Sequence, residues 1–303
     1  MKIAVLGPGG VGGLLAGLLE RSGEEVLLVA RESTAETVAR DGLSVDSVTF
    51  GKFVAHPRAL ARLEEPVDAL IVATKASGLE PALERILCEP ALVLPLLNGL
   101  DHMDLLRKHF ASASVLAGSI RVEADRPHPG VIVHSSPFLI VDMACAVDGD
   151  RAAMERLAEA FTQAGVPVRV SDSQAQVMWS KLVRLNALAC TTSAYDKLLG
   201  EIRSTPELRA DLEGAIREAC AVGQAEGAKD VDPAIAIGEL ELAHDTLGSS
   251  MQRDIAAGRA PELDAIPGSV LRAGARHGLA CPTIEKLVAL IRARMDALGV
   301  PAG

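Results

Sequence analysis

Residues 2–12 constrain the fold more than any other stretch. The strand-like run Lys2–Leu6 passes straight into Gly7-Pro8-Gly9-Gly10-Val11-Gly12, and an apolar helical pattern follows to Arg21. A G-x-G-x-x-G turn between a strand and a helix has a physical reading. Gly7 permits the tight turn, Gly9 lets the backbone approach a pyrophosphate, and Gly12 allows the helix to pack closely on the strand. The alternative is a bare glycine-rich turn, and the strand–turn–helix context weighs against it.

The pattern that follows predicts a parallel sheet covered on both faces. Short β-branched runs at Glu25–Ala30, Ala69–Ala73, Leu92–Leu96 and Ser114–Ala117 alternate with helical patterns at about residues 10–21, 79–87 and 101–110. Runs as continuously apolar as Leu70-Ile71-Val72-Ala73 imply burial on both faces. Gly130–His134 and Phe138–Val141 read as two strands joined by a Ser-Ser-Pro turn, and Arg151–Gln163 as an amphipathic helix. From Ser171 onward the texture becomes helical. Ser171 or Asp172 is the expected N-cap of a long helix running towards Thr191, and Thr205-Pro206 and Asp232-Pro233 open later helices. The expected architecture is α/β: an N-terminal Rossmann-type doubly wound domain over residues 1–170, then an all-α domain over 171–303.

Charge narrows the partners. Thirty basic and forty acidic side chains give a net charge of −10, which argues against a general binder of nucleic acid or anionic membrane. An anionic ligand must therefore meet a local cation. The five cysteines, Cys88, Cys145, Cys190, Cys220 and Cys281, form neither a C-x-x-C pair nor a cluster at metal spacing, so no metal is expected and a reducing cytoplasm fits. The N-terminus lacks the zones of a signal peptide, and its apolar run ends at Glu20-Arg21, short of a membrane span. The Ala-rich helical half is compatible with a homodimer, although composition specifies no interface.

Several residues stand where chemistry is expected. Arg31 follows the second strand, where an acidic residue would bind the ribose of NAD; a guanidinium there favours the 2′-phosphate of NADP(H). A solvated arginine paired with Glu32 is the alternative. Lys75 follows the third strand and Asn98-Gly99 the fourth, at the strand ends where open α/β sheets bind ligands; each is also an ordinary loop or turn residue. Lys181, in Trp179-Ser180-Lys181-Leu182, is either a solvated helix lysine or the proton donor that a ketone reduction requires. Trp179 reads as a core aromatic. Ser249-Ser250-Met251 through Glu262 is fully explained as a helix end, a turn and an acidic helix start.

Taken together and in order, these features resemble the ketopantoate reductase family, the 2-dehydropantoate 2-reductases. The likeness runs over essentially the whole chain and includes the stretch Gly118 to Gly130 that leads into Val131-Ile132-Val133-His134. Its most specific part is Ser249-Ser250-Met251 with Glu262 twelve residues after the second serine. The resemblance implies that Gly7, Pro8, Gly9, Gly10, Val11, Gly12, Arg31, Lys75, Asn98 and Ala124 lie on or near NADP(H). It makes Lys181 the general acid, and it assigns Ser250 and Glu262 to the substrate's carboxylate and hydroxyl regions, with Asn98 also beside the substrate. Glu262 would further orient Lys181, a carboxylate near an ammonium keeping it protonated.

The chain departs from the family at one place. Many relatives carry asparagines four and eight residues after the lysine, and here those positions are Leu185 and Ala189. Asn186, five residues on, is displaced by about 140° around a helix and cannot replace them without a break. The expectation is therefore NADPH-dependent reduction of 2-dehydropantoate to pantoate. The rivals are a related reductase of another 2-oxo acid or an opine-type substrate, and a non-catalytic NADP(H)-binding regulator.

Overall fold

A computed structural model describes residues 1–111, 114–146 and 149–301. The chain divides into two compact units, one of residues 1–97 with 102–177, the other of residues 98–101 with 178–303.

The first unit is built on five parallel strands: β1 (Lys2–Leu6), β2 (Glu25–Val29), β5 (Arg58–Leu60), β6 (Ala69–Val72) and β7 (Leu92–Pro95), in the order β5-β2-β1-β6-β7. The order reverses at β1, so the crevice beyond its C-terminal end is the switch point at which such sheets take ligands. β6 and β7 are buried at every residue, which is why their sequences are continuously apolar.

Helix α1 (Gly10–Arg21) is buried on nearly all sides from Gly12 to Leu19. One face packs on β1 and β2, and the rest lies against a second sheet, β4 (Gly51–Ala55), β3 (Leu43–Ser47), β10 (Val131–His134) and β9 (Ala124–His128), in that order. A Cβ at Gly13 would approach Ile132 of β10 to 2.4 Å, so the helix contacts that sheet almost backbone to side chain. The sequence reading lacks this sheet. β3 alternates buried and exposed residues over only five positions, and its partner β10 lies far along the chain.

A third sheet of β12 (Val168–Val170), β11 (Ile140–Ala144) and β8 (Ala117–Arg121) completes the unit, flanked by α5 (Arg151–Gln163). The fifth strand is Ala117–Arg121 and not Ser114–Ala117, of which Val115 makes only a single bridge to Val93. Val131–His134 and Ile140–Ala144 are not a hairpin: the Ser-Ser-Pro segment carries the chain from one sheet to another. The helix after residue 79, α3 (Leu79–Leu83), closes early, the next is α4 (His102–His109), and α2 (Glu32–Asp41) is an addition.

The second unit is helical. α6 (Gln174–Tyr195) leads into it, capped by Ser173, whose Oγ accepts from the Gln176 amide at 3.1 Å. Of the expected caps, Asp172 is instead paired with Arg151 at 2.5 Å and Ser171 Oγ accepts from Ser173 N. α7 (Leu199–Ser204), α9 (Pro233–Leu242), α11 (Ser269–Arg276) and α12 (Pro282–Leu298) all pack on α8 (Pro206–Ala225). α8 and α9 begin at the prolines expected to start them, and Asp232 caps α9 through the Ala234 amide. Trp179 is buried against α8, where a Cβ at Gly223 would meet its ring at 3.0 Å. No helix among the described residues is long and apolar enough to cross a membrane.

Candidate active site

In the first unit, the turn after β1 has the geometry its glycines predict. Gly7 takes φ of +101°, and a Cβ on Gly12 would stand 2.1 Å from the Gly7 carbonyl oxygen, so the start of α1 closes directly onto the turn. Gly9 is the N-cap, and the first helical bond runs from Gly13 N to Gly9 O at 2.8 Å. The amides of Gly10, Val11 and Gly12 therefore have no helical acceptor and point outward at the positive end of the helix. Over Gly9 the space is open, the nearest atom to a built Cβ being Ala73 O at 3.9 Å.

Gly10 has a reason the sequence did not reveal. A Cβ there would fall 2.1 Å from the carbonyl oxygen of Ala124, so β9 lays Ala124 against the turn. Thr74, after β6, adds a further polar group: its Oγ1 is buried and has no hydrogen-bond partner among the described residues, while its methyl group abuts Gly7. Outward amides, open space over Gly9 and an orphaned hydroxyl beside the turn fit a bound pyrophosphate.

Arg31 is the exposed N-cap residue of α2. Glu32 does not pair with it. The Glu32 carboxylate accepts from Arg85 at 3.1 Å, and Arg85 is itself anchored to the Ala61 carbonyl at 3.0 Å. The backbone N–H of Glu32 and then the Arg85 guanidinium hold that carboxyl below the usual glutamate range. Lys75 is exposed at the start of a short 3-10 turn, Ala76–Gly78, after β6.

The second unit gathers three of the expected residues, Asn98, Lys181 and Glu262. Lys181 Nζ, on α6, donates to Asn98 Oδ1 at 2.8 Å, and Asn98 Nδ2 donates to Glu262 Oε2 at 2.8 Å. The amide thus stands between a cation and an anion with each end matched to its neighbour. Reversed, it would set its NH2 against the ammonium and its oxygen against the carboxylate. The amide links Glu262 to Lys181, a bridge that no sequence spacing signals because Asn98 is 83 residues from the lysine and 164 from the glutamate.

Glu262 does not begin a regular helix. It precedes a π-helical turn, Asp264–Gly268, closed by Gly268 N to Leu263 O at 3.1 Å, and such turns re-aim side chains. Ser250 is the first residue of α10 (Ser250–Ala256) and is half-buried; Ser249 caps that helix and hydrogen-bonds Thr192 at 2.8 Å. Among the described residues, Ser250 is hydrogen-bonded to none of the three.

α6 runs unbroken past the divergent positions. Leu185 is half-buried, Ala189 is fully buried, and Asn186 stays rotated away from Lys181. Asn186 is itself fully buried, accepting from Cys190 Sγ at 3.6 Å. Burial pushes the Cys190 thiol well above its usual range, so it is no nucleophile. No group of three or more His, Cys, Asp or Glu among the described residues is placed to hold a metal ion.

Comparison with known proteins extends this picture. Residues 3–141 match the family Ketopantoate reductase PanE/ApbA, and residues 174–295 match its C-terminal counterpart. A 2-dehydropantoate 2-reductase of Mycobacterium tuberculosis (strain ATCC 25618 / H37Rv) is 31% identical over 307 residues, covering 98% of this chain and 99% of that protein. The crystal structure of 2-dehydropantoate 2-reductase from Geobacter metallireducens GS-15 is similar with a TM-score of 0.88 at 28% identity, covering 97% of this chain and 99% of that one. D-mandelate dehydrogenase in ternary complex with NADH and anilino(oxo)acetate is similar to the same degree, TM-score 0.88 at 26% identity, covering 99% of this chain and 100% of that one. With both halves matched and the fold shared along its length, the chain is an oxidoreductase that belongs to the ketopantoate reductase family.

Proposed function

We propose that this chain reduces a small 2-oxo acid at the expense of NADPH, with 2-dehydropantoate as first candidate, pantoate as product and pantothenate biosynthesis in the cytoplasm as its setting. The observation that carries the reading is the Asn98 amide held between the Lys181 ammonium and the Glu262 carboxylate. When bound, the nicotinamide cofactor supplies the hydride that reaches the carbonyl carbon.

The chain's own groups handle the charge. Reduction turns the carbonyl oxygen into an alkoxide, and Lys181 Nζ protonates it. Before that step the ammonium polarises the carbonyl, and Asn98 holds Nζ in one direction so that no reorientation is needed as charge develops. Ser250 receives the substrate carboxylate, and Glu262 accepts from its hydroxyl, as in the family. In this reading residues 1–170 serve the cofactor. Gly7 to Gly12 and Ala124 receive the pyrophosphate, Lys75 adds positive charge, and Arg31 takes the 2′-phosphate. Preference for NADPH is supported by Arg85, which occupies the carboxylate of the next residue, Glu32. Residues 171–303 serve the substrate.

A second reading is favoured by Leu185, which is half-buried where the family has an amide. An apolar side chain there suits a 2-oxo acid with an apolar substituent, the kind of group that D-mandelate carries. Loss of NADPH absorbance measured against a panel of aliphatic and aryl 2-oxo acids, with NADH in parallel, separates the two. The first reading expects ketopantoate to exceed every other acid by about tenfold or more in kcat/KM. Turnover confined to an aryl acid installs the second. Tight NADPH binding without turnover of any acid makes the chain a binding protein and ends both.

A further inference from the structure

Asn98 lies on a four-residue stretch, 98–101, with no regular secondary structure, yet its amide must stay within hydrogen-bond distance of two partners. What fixes it is the contact of this stretch with the segment that carries Glu262. Gly99, at φ of +84°, lies so close to the π-helical turn that a Cβ would stand 1.9 Å from Ala265 O. Next to it, Arg272 of α11 reaches both segments. Its Nη2 donates to Asp101 Oδ2 at 2.5 Å and to the Asp264 carbonyl at 2.9 Å, and its Nη1 donates to Asp264 Oδ1 at 2.7 Å. One guanidinium therefore ties the residue three after Asn98 to the residue two after Glu262.

We propose that Arg272 is a positioning residue for the reduction: it clamps residues 98–101 onto the turn after Glu262 and so holds the Asn98 amide between Glu262 and Lys181. The inference rests on the function proposed above. Its hydrogen bonds run to Asp101 and Asp264, the neighbours of Asn98 and Glu262 along the chain. The planar fork of arginine suits the task, because it satisfies a carboxylate on each side in a fixed geometry that a lysine does not reproduce. Half-exposed ion pairs contribute little to global stability, so losing the clamp shows in turnover more than in unfolding.

The test is a double-mutant cycle on the full chain. Arg272→Gln is expected to lower kcat by about tenfold or more, since small misplacements of a reacting group are costly, with the KM for NADPH unchanged within about twofold. In an Asn98→Ala background the same substitution should change kcat by less than about twofold, because the group it positions is gone. Asp101→Asn should reproduce the loss, and Arg272→Lys should recover part of it. Wild-type kcat in Arg272→Gln, or an equal loss with and without Asn98, overturns the proposal. If the unaltered chain reduces no 2-oxo acid, the functional reading fails, and the clamp is tested alone through the side-chain amide resonances of Asn98. Those resonances, assigned by their disappearance in Asn98→Ala, should move to free-amide positions in Arg272→Gln and in Asp101→Asn. Unmoved resonances overturn the clamp.

Discussion

Lys181 and Asn98 meet through an Nζ–H···Oδ1 hydrogen bond of 2.8 Å, and this contact decides which end of the amide is left for Glu262. A neutral amide thus links the lysine to the carboxylate, its oxygen accepting from the ammonium and its NH2 donating to Glu262.

If Lys181 supplies the proton, Lys181→Ala should lower kcat by about 10²- to 10⁴-fold, the usual contribution of a positioned acid. NADPH affinity, followed by quenching of protein or cofactor fluorescence, should change by less than about twofold. A kcat within threefold or so of the unaltered enzyme would remove Lys181 from the chemistry.

Asn98→Asp replaces the bridge by a second carboxylate beside Glu262. Two carboxylates in contact cannot both ionise freely, so one pKa of the pair rises and a proton is shared between them. The protonated pair restores a donor towards Glu262. Activity of Asn98→Asp should therefore be low at neutral pH and recover as pH falls through the raised pKa, and a pH–rate profile on the acid side measures it. A variant whose relative activity is flat from pH about 5 to 8 would show that the amide's charge pattern is immaterial.

The glycine turn was legible because each glycine answers a local demand of a few residues: the positive φ at Gly7 and the contact of Gly12 with the Gly7 carbonyl. Gly10 answers Ala124, more than a hundred residues away, and so its reason was hidden. The second sheet was hidden for the same cause: Val131–His134 pairs in parallel with Leu43–Ser47, whereas adjacency suggested that Gly130–His134 turns back onto Phe138–Val141. At the site, the family resemblance singled out Lys181, Glu262 and Asn98. It did not disclose that the amide joins the other two, because side-chain hydrogen bonds across 83 and 164 residues leave no periodic trace.

In the proposed function, cofactor choice turns on Arg31 and on what holds Glu32. Arg31→Ala should raise the KM for NADPH about tenfold or more and leave that for NADH nearly unchanged, since only NADPH carries the 2′-phosphate. Arg85→Gln removes the partner of the Glu32 carboxylate. The released carboxylate should repel the 2′-phosphate and accept from a ribose hydroxyl, moving the ratio of kcat/KM for the two cofactors towards NADH. Steady-state kinetics with both cofactors checks this, and an unchanged ratio in both variants would place the 2′-phosphate elsewhere.

His134 gives the fold a pH dependence of its own. The ring is 1% exposed, with Nδ1 2.8 Å from Ser47 Oγ and Nε2 3.2 Å from Ser136 Oγ, and burial lowers its pKa from the usual histidine value. A group whose folded pKa is depressed and whose neutral form is the buried one contributes its full stability above the unfolded pKa. As pH falls below about 6.5, the unfolded chain takes up a proton that the native ring refuses, and stability is lost by up to about 1.4 kcal/mol per pH unit until the folded pKa is passed. Thermal unfolding should accordingly give a lower Tm at pH 5.5 than at pH 7.5. His134→Gln, which keeps polar atoms near Ser47 and Ser136 but cannot titrate, should be less stable at pH 7.5 and should lose less Tm between the two conditions. Equal Tm losses in the two proteins would assign the pH dependence to other groups.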